Sequence, residues 1–230
     1  MQELYSQTQS GALTRSQEVS KVLRNTYALL AMTLAFSAVM AVISTVVFAP
    51  GEGFGVSLLC SLGALGLIWF VLPRTANSAA GIWVVFAFTG LLGFGLGPTI
   101  GYYVASIGSG VIAQALGGTA IIFLGLSAYA LITGKDFSFL AGFIVVGLLT
   151  VLVVAFGSII MSLFFGANIE IMSLVINAAI LLIMSCVILF HTSQIIHGGE
   201  TNYIMATASL YLAIYNIFVS LLHLLGATND

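Results

Sequence analysis

Long, continuous apolar runs separated by short polar connections make up almost the whole chain. Because these runs do not alternate between apolar and polar positions, they favour helices over strands. A bilayer core of about 30 Å is crossed by about 20 helical residues. Helix breakers and charged residues mark the connections, and they divide the chain into seven predicted spans at residues 26–48, 56–72, 81–104, 111–133, 139–165, 171–194 and 203–225.

Two short tails flank the predicted seven-helix membrane domain of residues 26–225. Residues 1–25 are rich in Gln and Ser and poor in large apolar side chains, which predicts a partly disordered tail. Alternatively, an amphipathic helix begins at Ser16 and runs into the first span. The tail is either a solvated terminus without a role or a segment that a partner can grip. Residues 226–230 form a short tail on the opposite side of the membrane.

Composition leads to the same fold class. Hydrophobic residues make up 60% of the 230 residues and charged residues 5%, whereas about a quarter of the residues in soluble domains are charged. Five basic and seven acidic side chains cannot cover the surface of a soluble fold of this size. No hydrophilic block is long enough to fold separately, so we predict one all-α integral membrane domain surrounded by the lipid bilayer. The net charge of −2 is too small to indicate nucleic-acid binding.

The positive charges predict the orientation of the bundle. Basic residues occur only before the first span, after the second and after the fourth: Arg15, Lys21, Arg24, Arg74 and Lys135. With seven spans these three positions share one face, which the positive-inside rule assigns to the cytoplasm. The N-terminus is therefore predicted to lie in the cytoplasm and the C-terminus outside. Glu52, Glu170 and Asp230 fall on the outer face.

Signatures of catalysis are absent from the sequence. There is no Gly-rich phosphate loop, no Cys or His pair at metal-ligand spacing, no HExxH motif and no nucleophile elbow. The predicted spans contain no Asp, Glu, Lys or Arg, although ion pumps and proton-coupled carriers usually need such groups. Cys60 and Cys186 lie inside apolar runs and are interpreted as small hydrophobic residues. We therefore predict a protein that is not an enzyme and has no metal or other cofactor.

A polar stripe on the last two helices is the main candidate for a functional site. Its members are Ser173, Asn177 and His191 on the sixth helix and Ser209, Asn216, Ser220 and His223 on the seventh. At about 100° per residue, those on the seventh helix fall within about 60° of one another, and Ala213 lies on the same face. The stripe either forms interhelical hydrogen bonds, each worth about 0.6 kcal/mol in membranes, or lines a polar interior that is the vestige of an ion path.

Histidine and glycine add two further candidates. His191 and His197 flank the predicted cytoplasmic end of the sixth helix, where they are either pH sensors or histidines satisfied by water or backbone. In the third span Gly93, Gly97 and Gly101 have GxxxG spacing beside a proline. Such spacing permits close helix packing or, alternatively, a hinge.

Several segments along the chain follow the order found in a known family. They are KVLRNTYALLAMTLAFS, GLLGFGLGPTIG from Gly90 to Gly101, ALGGTAIIF from Ala115 to Phe123, GKDFSFLAGF, FHTSQIIHGGETNYI and SLYLAIYNIFVSLLHLLG. Together they resemble the Bax inhibitor-1 family of membrane proteins, and its bacterial members in particular. The resemblance implies a bundle of seven helices around a central C-terminal helix, with the N-terminus in the cytoplasm. This agrees with the span count reached from hydropathy.

The resemblance also implies a function. Similarity to the bacterial members implies a multi-pass protein of the inner membrane that binds the FtsH membrane protease and its associated regulators and modulates proteolysis. An ATP-driven membrane protease needs an unstructured end to grip, and residues 1–15 could supply one. A compact bundle behind that end resists extraction, so the protein is expected to occupy the protease as a slow substrate.

The competing interpretation is an ion channel. Some members of the family are pH-sensitive calcium leak channels whose sites involve two aspartates, and these match His191 and Ala213 here. Calcium takes about six to eight oxygen ligands, with carboxylates supplying the charge, so a histidine and an alanine cannot replace the pair. Calcium conduction is therefore not expected, although Asn216 and the serines keep a polar lining.

Overall fold

The computed structural model describes residues 2–49, 52–166, 168 and 170–229, with side chains from residue 17 to residue 228 within those ranges. Long helices account for nearly all of these residues: α1 Gln2–Val47, α2 Phe54–Thr75, α3 Ala80–Ser106, α4 Ser109–Thr133, α5 Leu140–Phe165, α6 Glu170–Ile196 and α7 Tyr203–Asn229. Within α2, residues Leu67–Val71 form a π-helical segment.

The prediction of seven spans is confirmed. In the described ranges, seven helices are long and apolar enough to cross a membrane, and in α1 that stretch is Gln17–Val47. The predicted spans fall on these helices, and their ends differ by a few residues except at the start of the first. In sequence, only small residues mark the division between the third and fourth spans. It lies at Gly108, whose φ of 108° is open to glycine and lets α4 begin directly after α3.

The first helix extends well beyond the predicted span. Its backbone is helical from Gln2, whereas the sequence predicts a partly disordered tail for residues 1–25 and a span from residue 26. The observed helix agrees with the alternative in which a helix runs into the span, and it begins earlier than Ser16. The part before Gln17 lies outside the apolar span, and isolated helices shorter than about 12–15 residues are marginal in water. Disorder of the free tail, and its place in the cytoplasm, stay predictions.

The helix at the centre of the bundle is α7. It packs against α1, α3, α4 and α6. The buried share of its apolar span is 50%, compared with 6% for the span of α5 at the periphery. Leu210, Ile217 and Leu222 are buried along its length, and each contributes to a different apolar cluster of the core. The prediction of a bundle around a central C-terminal helix is confirmed.

Hydrogen bonds tie three connections together at one end of the bundle. Asn202, between α6 and α7, donates through Nδ2 to Ala76 O at 3.0 Å and to Asn77 Oδ1 at 2.9 Å. These two acceptors lie between α2 and α3. Gln194, near the end of α6, donates through Nε2 to Ser138 Oγ at 2.8 Å, between α4 and α5. The three connections therefore lie on the same side of the bundle.

We name this end the basic face and define it by the connections at residues 76–79, 134–139 and 197–202. The start of the span in α1 lies there too, because Thr207 Oγ1, near the start of α7, is 3.3 Å from Thr26 O. The three groups of basic residues found in the sequence therefore share one end, as a count of seven spans requires. The position of this end in the cytoplasm follows from the positive-inside rule and stays a prediction.

Cysteine labelling from each side of the membrane tests the orientation. In a background without Cys60 and Cys186, an impermeant maleimide should label Lys135→Cys only from the cytoplasm and Asp230→Cys only from outside. The reason is that an odd number of spans puts the basic face and the C-terminus on opposite sides. Labelling of Asp230→Cys from the cytoplasm alone would overturn the topology, and labelling of Lys135→Cys from outside would invert it.

Candidate functional site

The two positions that the resemblance predicts to match the family's aspartates lie on α6 and α7, which pack against each other. Ala213 is fully buried in a cluster of apolar side chains from α5, α6 and α7 that includes Ile144, Ile188 and Ile217. His191 follows Ile188 by one turn of α6 and is half-buried. The first position therefore holds a methyl group among hydrocarbon side chains and the second a single imidazole, so neither supplies a carboxylate.

The polar stripe is satisfied largely within its own helices. Three of its members each donate to the backbone carbonyl four residues earlier: Asn177 Nδ2, Asn216 Nδ2 and His223 Nδ1, each at 2.8 Å. Because a carbonyl oxygen only accepts, His223 carries its proton on Nδ1. The serines of the stripe are half-buried or buried: Ser173, Ser209 and Ser220. Each of these three bonds stays within one helix, and none of them joins two helices.

Groups that could hold a metal ion are sparse. In the part of the chain that the structure describes, no three His, Cys, Asp or Glu side chains come together as a ligand set. Cys60 on α2 and Cys186 on α6 are free thiols.

Ser193 joins the end of α6 to the α4–α5 connection at the basic face. Its Oγ accepts from the backbone N–H of Phe137 at 2.9 Å and donates to a carbonyl of the same connection at 3.3 Å. His197 Nδ1 donates to Ser193 O at 2.9 Å, so this histidine is satisfied by the backbone. Asp136 accepts from the hydroxyl of Ser138 at 2.5 Å and from its N–H at 2.8 Å, and these bonds hold the pKa of the Asp136 carboxyl below its ordinary value.

A buried tyrosine that sequence reasoning did not single out joins three helices. Tyr211 on α7 is 1% exposed, and its hydroxyl donates to Thr89 O on α3 at 3.2 Å. Because its single proton is used there, the same oxygen accepts from Ser37 Oγ on α1 at 2.5 Å. The ring of Phe88 meets the Tyr211 ring edge-on with centroids 5.5 Å apart. Tyr211 is neither charged nor part of a periodic polar pattern, so the sequence offered no signal for it.

Glycines on α3 let the backbone of α1 approach closely. We name Gly93 and Gly97 the glycine notch: a β-carbon at Gly93 would overlap Ser37 O, and one at Gly97 would overlap the Ser44 side chain. At Gly101 nothing lies within 4 Å of the place for a β-carbon. The predicted close packing is therefore confirmed for Gly93 and Gly97 and wrong for Gly101. The reason is that Ser44 lies in the last turn of α1, so Gly101, one turn beyond Gly97, has passed the end of that helix.

Comparison with known proteins agrees with this architecture. Residues 19–230 match the family model described as Inhibitor of apoptosis-promoting Bax1. The modulator of FtsH protease YccA of Escherichia coli K12 is 50% identical over 206 residues, which are 90% of each chain. The inner membrane protein YccA of Escherichia coli O6:H1 has the same identity and coverage. A membrane protein of Vibrio cholerae is 45% identical over 224 residues, 97% of this chain and 96% of its own.

The spans and the relatives together define the setting of the molecule. With seven apolar spans and relatives of the inner membrane, the chain is a multi-pass protein of the bacterial inner membrane. The family model covers most of the chain, and the relatives match it almost from end to end. This seven-helix bundle therefore belongs to the Bax inhibitor-1 family.

Proposed function

We propose that this protein binds the FtsH membrane protease complex and modulates its proteolysis as a substrate that is extracted slowly. The observation that carries the proposal is the identity of 50%, over 90% of both chains, to a protein named a modulator of that protease. Regulators associated with the protease are further partners under this proposal.

The N-terminal segment is the part of the chain that the protease would hold. Residues 1–15 precede the apolar span, which begins at Gln17, and they contain few large apolar side chains. Because a polar helix of this length is marginal in water, it unfolds readily when a protein binds the extended chain. A pulling force on this segment acts on the membrane span of α1 before it acts on any other helix.

Close packing and hydrogen bonds hold α1 in the bundle. The hydrophobic effect contributes little to the association of α1 with the other helices, since lipid tails are as apolar as the side chains of α1. The glycine notch brings the backbone of α1 against α3, and Ser37 is hydrogen bonded to Tyr211 on α7. Nearer the basic face, the hydroxyls of Tyr27 and Ser127 join α1 to α4. These contacts must break before α1 leaves, so they determine how long the protease stays occupied.

Removal of residues 2–15 should lengthen the half-life of the protein several-fold in cells with active protease, because the protease loses the segment it holds. Pulse–chase labelling measures the half-life. Thermal unfolding of the purified variant should match that of the native protein, since the deleted residues lie outside the apolar span. Removal of residues 229–230, which also lie outside the apolar spans, is the control at the other terminus and should leave the half-life unchanged. An unchanged half-life without residues 2–15, or turnover that starts at the C-terminus, contradicts the proposal.

Modulation itself can be measured with purified components. In liposomes the protein should co-purify with FtsH and slow the degradation of a second membrane substrate, because both compete for the same protease. The variant without residues 2–15 should slow that degradation less. If the native protein neither binds the protease nor changes the rate, the proposed function is wrong.

A further inference from the structure

An apolar cavity lies between α1, α3, α4 and α7, in the half of the bundle away from the basic face. Its volume is about 520 Å³. Its floor includes the buried side chains Ala41, Leu96 and Tyr211. Its rim consists of apolar side chains that are more than half exposed: Val42 at 63%, Leu116 at 56% and Leu124 at 63%. The cavity is therefore deep, and it is open on one side.

The opening lies between α1 and α4 and faces the bilayer. Near the basic face these helices touch, since the hydroxyls of Tyr27 and Ser127 are hydrogen bonded and the rings of Tyr27 and Phe123 have centroids 6.1 Å apart. Farther from that face, side chains within residues 34–45 of α1 and 112–124 of α4 line opposite walls. Because both helices are membrane spans, the medium at the opening is lipid hydrocarbon.

Four of the five hydroxyls that line the cavity have hydrogen-bond partners, and the fifth belongs to Tyr215. Thr45 Oγ1 and Thr119 Oγ1 each donate to a carbonyl of their own helix at 2.7 Å. Ser37 and Tyr211 are bonded to each other at 2.5 Å. A buried water needs about 2–4 polar partners, and these groups leave it little to bind. The lining therefore suits a hydrocarbon ligand rather than water or a polar molecule.

We propose that this cavity binds an acyl chain of a phospholipid from the adjoining leaflet, which the charge pattern predicts to be the outer one. Its volume falls in the range of about 300–1,000 Å³ typical of small-molecule sites. A helix of about ten residues, about 15 Å long and about 10 Å across, occupies about 1,200 Å³, so a helix of a partner or of a second copy does not fit. If the cavity were empty, the side chains that form its walls would lack dispersion contacts on that side. The site requires no protease, so it goes beyond the proposed function.

A photoreactive lipid tests the site in the native protein. The protein is reconstituted in phosphatidylethanolamine and phosphatidylglycerol vesicles that contain a phospholipid with a diazirine in the middle of one acyl chain. After illumination, residues 34–45 and 112–124 should carry about fivefold more label per residue than the exposed apolar surface of α5, since a chain held by about 1 kcal/mol is enriched by that factor. The α5 surface, with Val153 71% exposed, reports ordinary contact with bulk lipid.

Filling the cavity tests the same site by a second route. Ala38 and Ala120 line the cavity and are exposed, so Ala38→Phe with Ala120→Phe occupies the opening without displacing core side chains. The matched control is Ala35→Phe with Ala128→Phe, at exposed alanines of the same helices that do not line the cavity. Labelling of the cavity walls should fall to the level of α5 in the filled variant and stay high in the control. Thermal unfolding should be alike in both variants.

Three outcomes would overturn the proposal. The first is labelling of the native cavity walls at no more than the level of α5, which would mean ordinary solvation by lipid. The second is undiminished labelling in a filled variant that is folded. The third is crosslinking of the walls to a second protein molecule in place of lipid, which would assign the cavity to a helix. The first measurement needs no variant, so the proposal can be refuted even if the filled variant does not fold.

Discussion

Replacing Gly93 by alanine should shorten the half-life of the protein about tenfold in cells with active protease, although the change adds a single methyl group. The new β-carbon would overlap Ser37 O, so α1 must move away from α3 and its hydrogen bond to Tyr211 is weakened. Overpacking of this kind costs about 1–3 kcal/mol, and about 1.4 kcal/mol is a factor of ten in an equilibrium constant. Pulse–chase labelling measures the half-life, and thermal unfolding of the purified protein measures the loss of stability.

Gly101→Ala is the matched control for this prediction. It is the same substitution in the same helix, but nothing lies within 4 Å of its β-carbon, so half-life and unfolding temperature should stay native. Gly97→Ala should act like Gly93→Ala, because its β-carbon would overlap the Ser44 side chain. In cells without the protease, the half-life of the Gly93→Ala variant should return to that of the native protein. A native half-life and native stability for Gly93→Ala would show that the notch does not hold α1.

Liposomes that contain the native protein should take up calcium no faster than liposomes without it, at neutral pH and after acidification. Ala213 is fully buried among apolar side chains. In the stripe, Asn177, Asn216 and His223 each donate to a carbonyl of their own helix. A path between α6 and α7 would have to solvate a divalent cation with no carboxylate at either matching position. Acidification supplies no carboxylate at either position, so it should not open such a path.

Flux through the native protein is the decisive measurement for the channel interpretation. A calcium-sensitive dye inside the liposomes reports it, and robust pH-gated uptake would refute our interpretation. His191→Asp with Ala213→Asp is the weaker test, because an aspartate in the apolar cluster around Ala213 buries a charge that no partner offsets. We expect that double variant to be destabilised, so an absence of flux through it would decide nothing on its own.

The number and approximate ends of the spans could be predicted because the bilayer imposes a length and a polarity on every crossing segment. Helical periodicity correctly places Gly93 and Gly97 on one face of α3, but it also groups Gly101 with them. Periodicity describes a single helix and contains no information about where its neighbour ends. For that reason the sequence predicts a longer contact than the structure shows.

The hydrogen-bond partners of the buried polar side chains could be predicted only in part, because they too depend on neighbouring helices. Spacing identifies Asn216 and His223 as members of one face, but the choice between a partner on another helix and the carbonyl four residues earlier depends on how the helices pack. Tyr211 illustrates the opposite failure. Its importance comes from Ser37 and Thr89 on two other helices, and neither is near it in sequence. Contacts between distant segments leave no periodic trace in a single chain.

Because α7 is central, the stability of the partly extracted molecule depends on the end from which the chain is drawn. The helix that contacts α1, α3, α4 and α6 is also the last in chain order. A motor that draws the chain in from the N-terminus therefore removes the other helices first and reaches the central helix last. The remainder stays held around α7 until the final step. A motor that starts at the C-terminus removes the core first, and the helices left behind lose their common neighbour at once. Resistance to extraction is thus a property of chain direction as well as of packing.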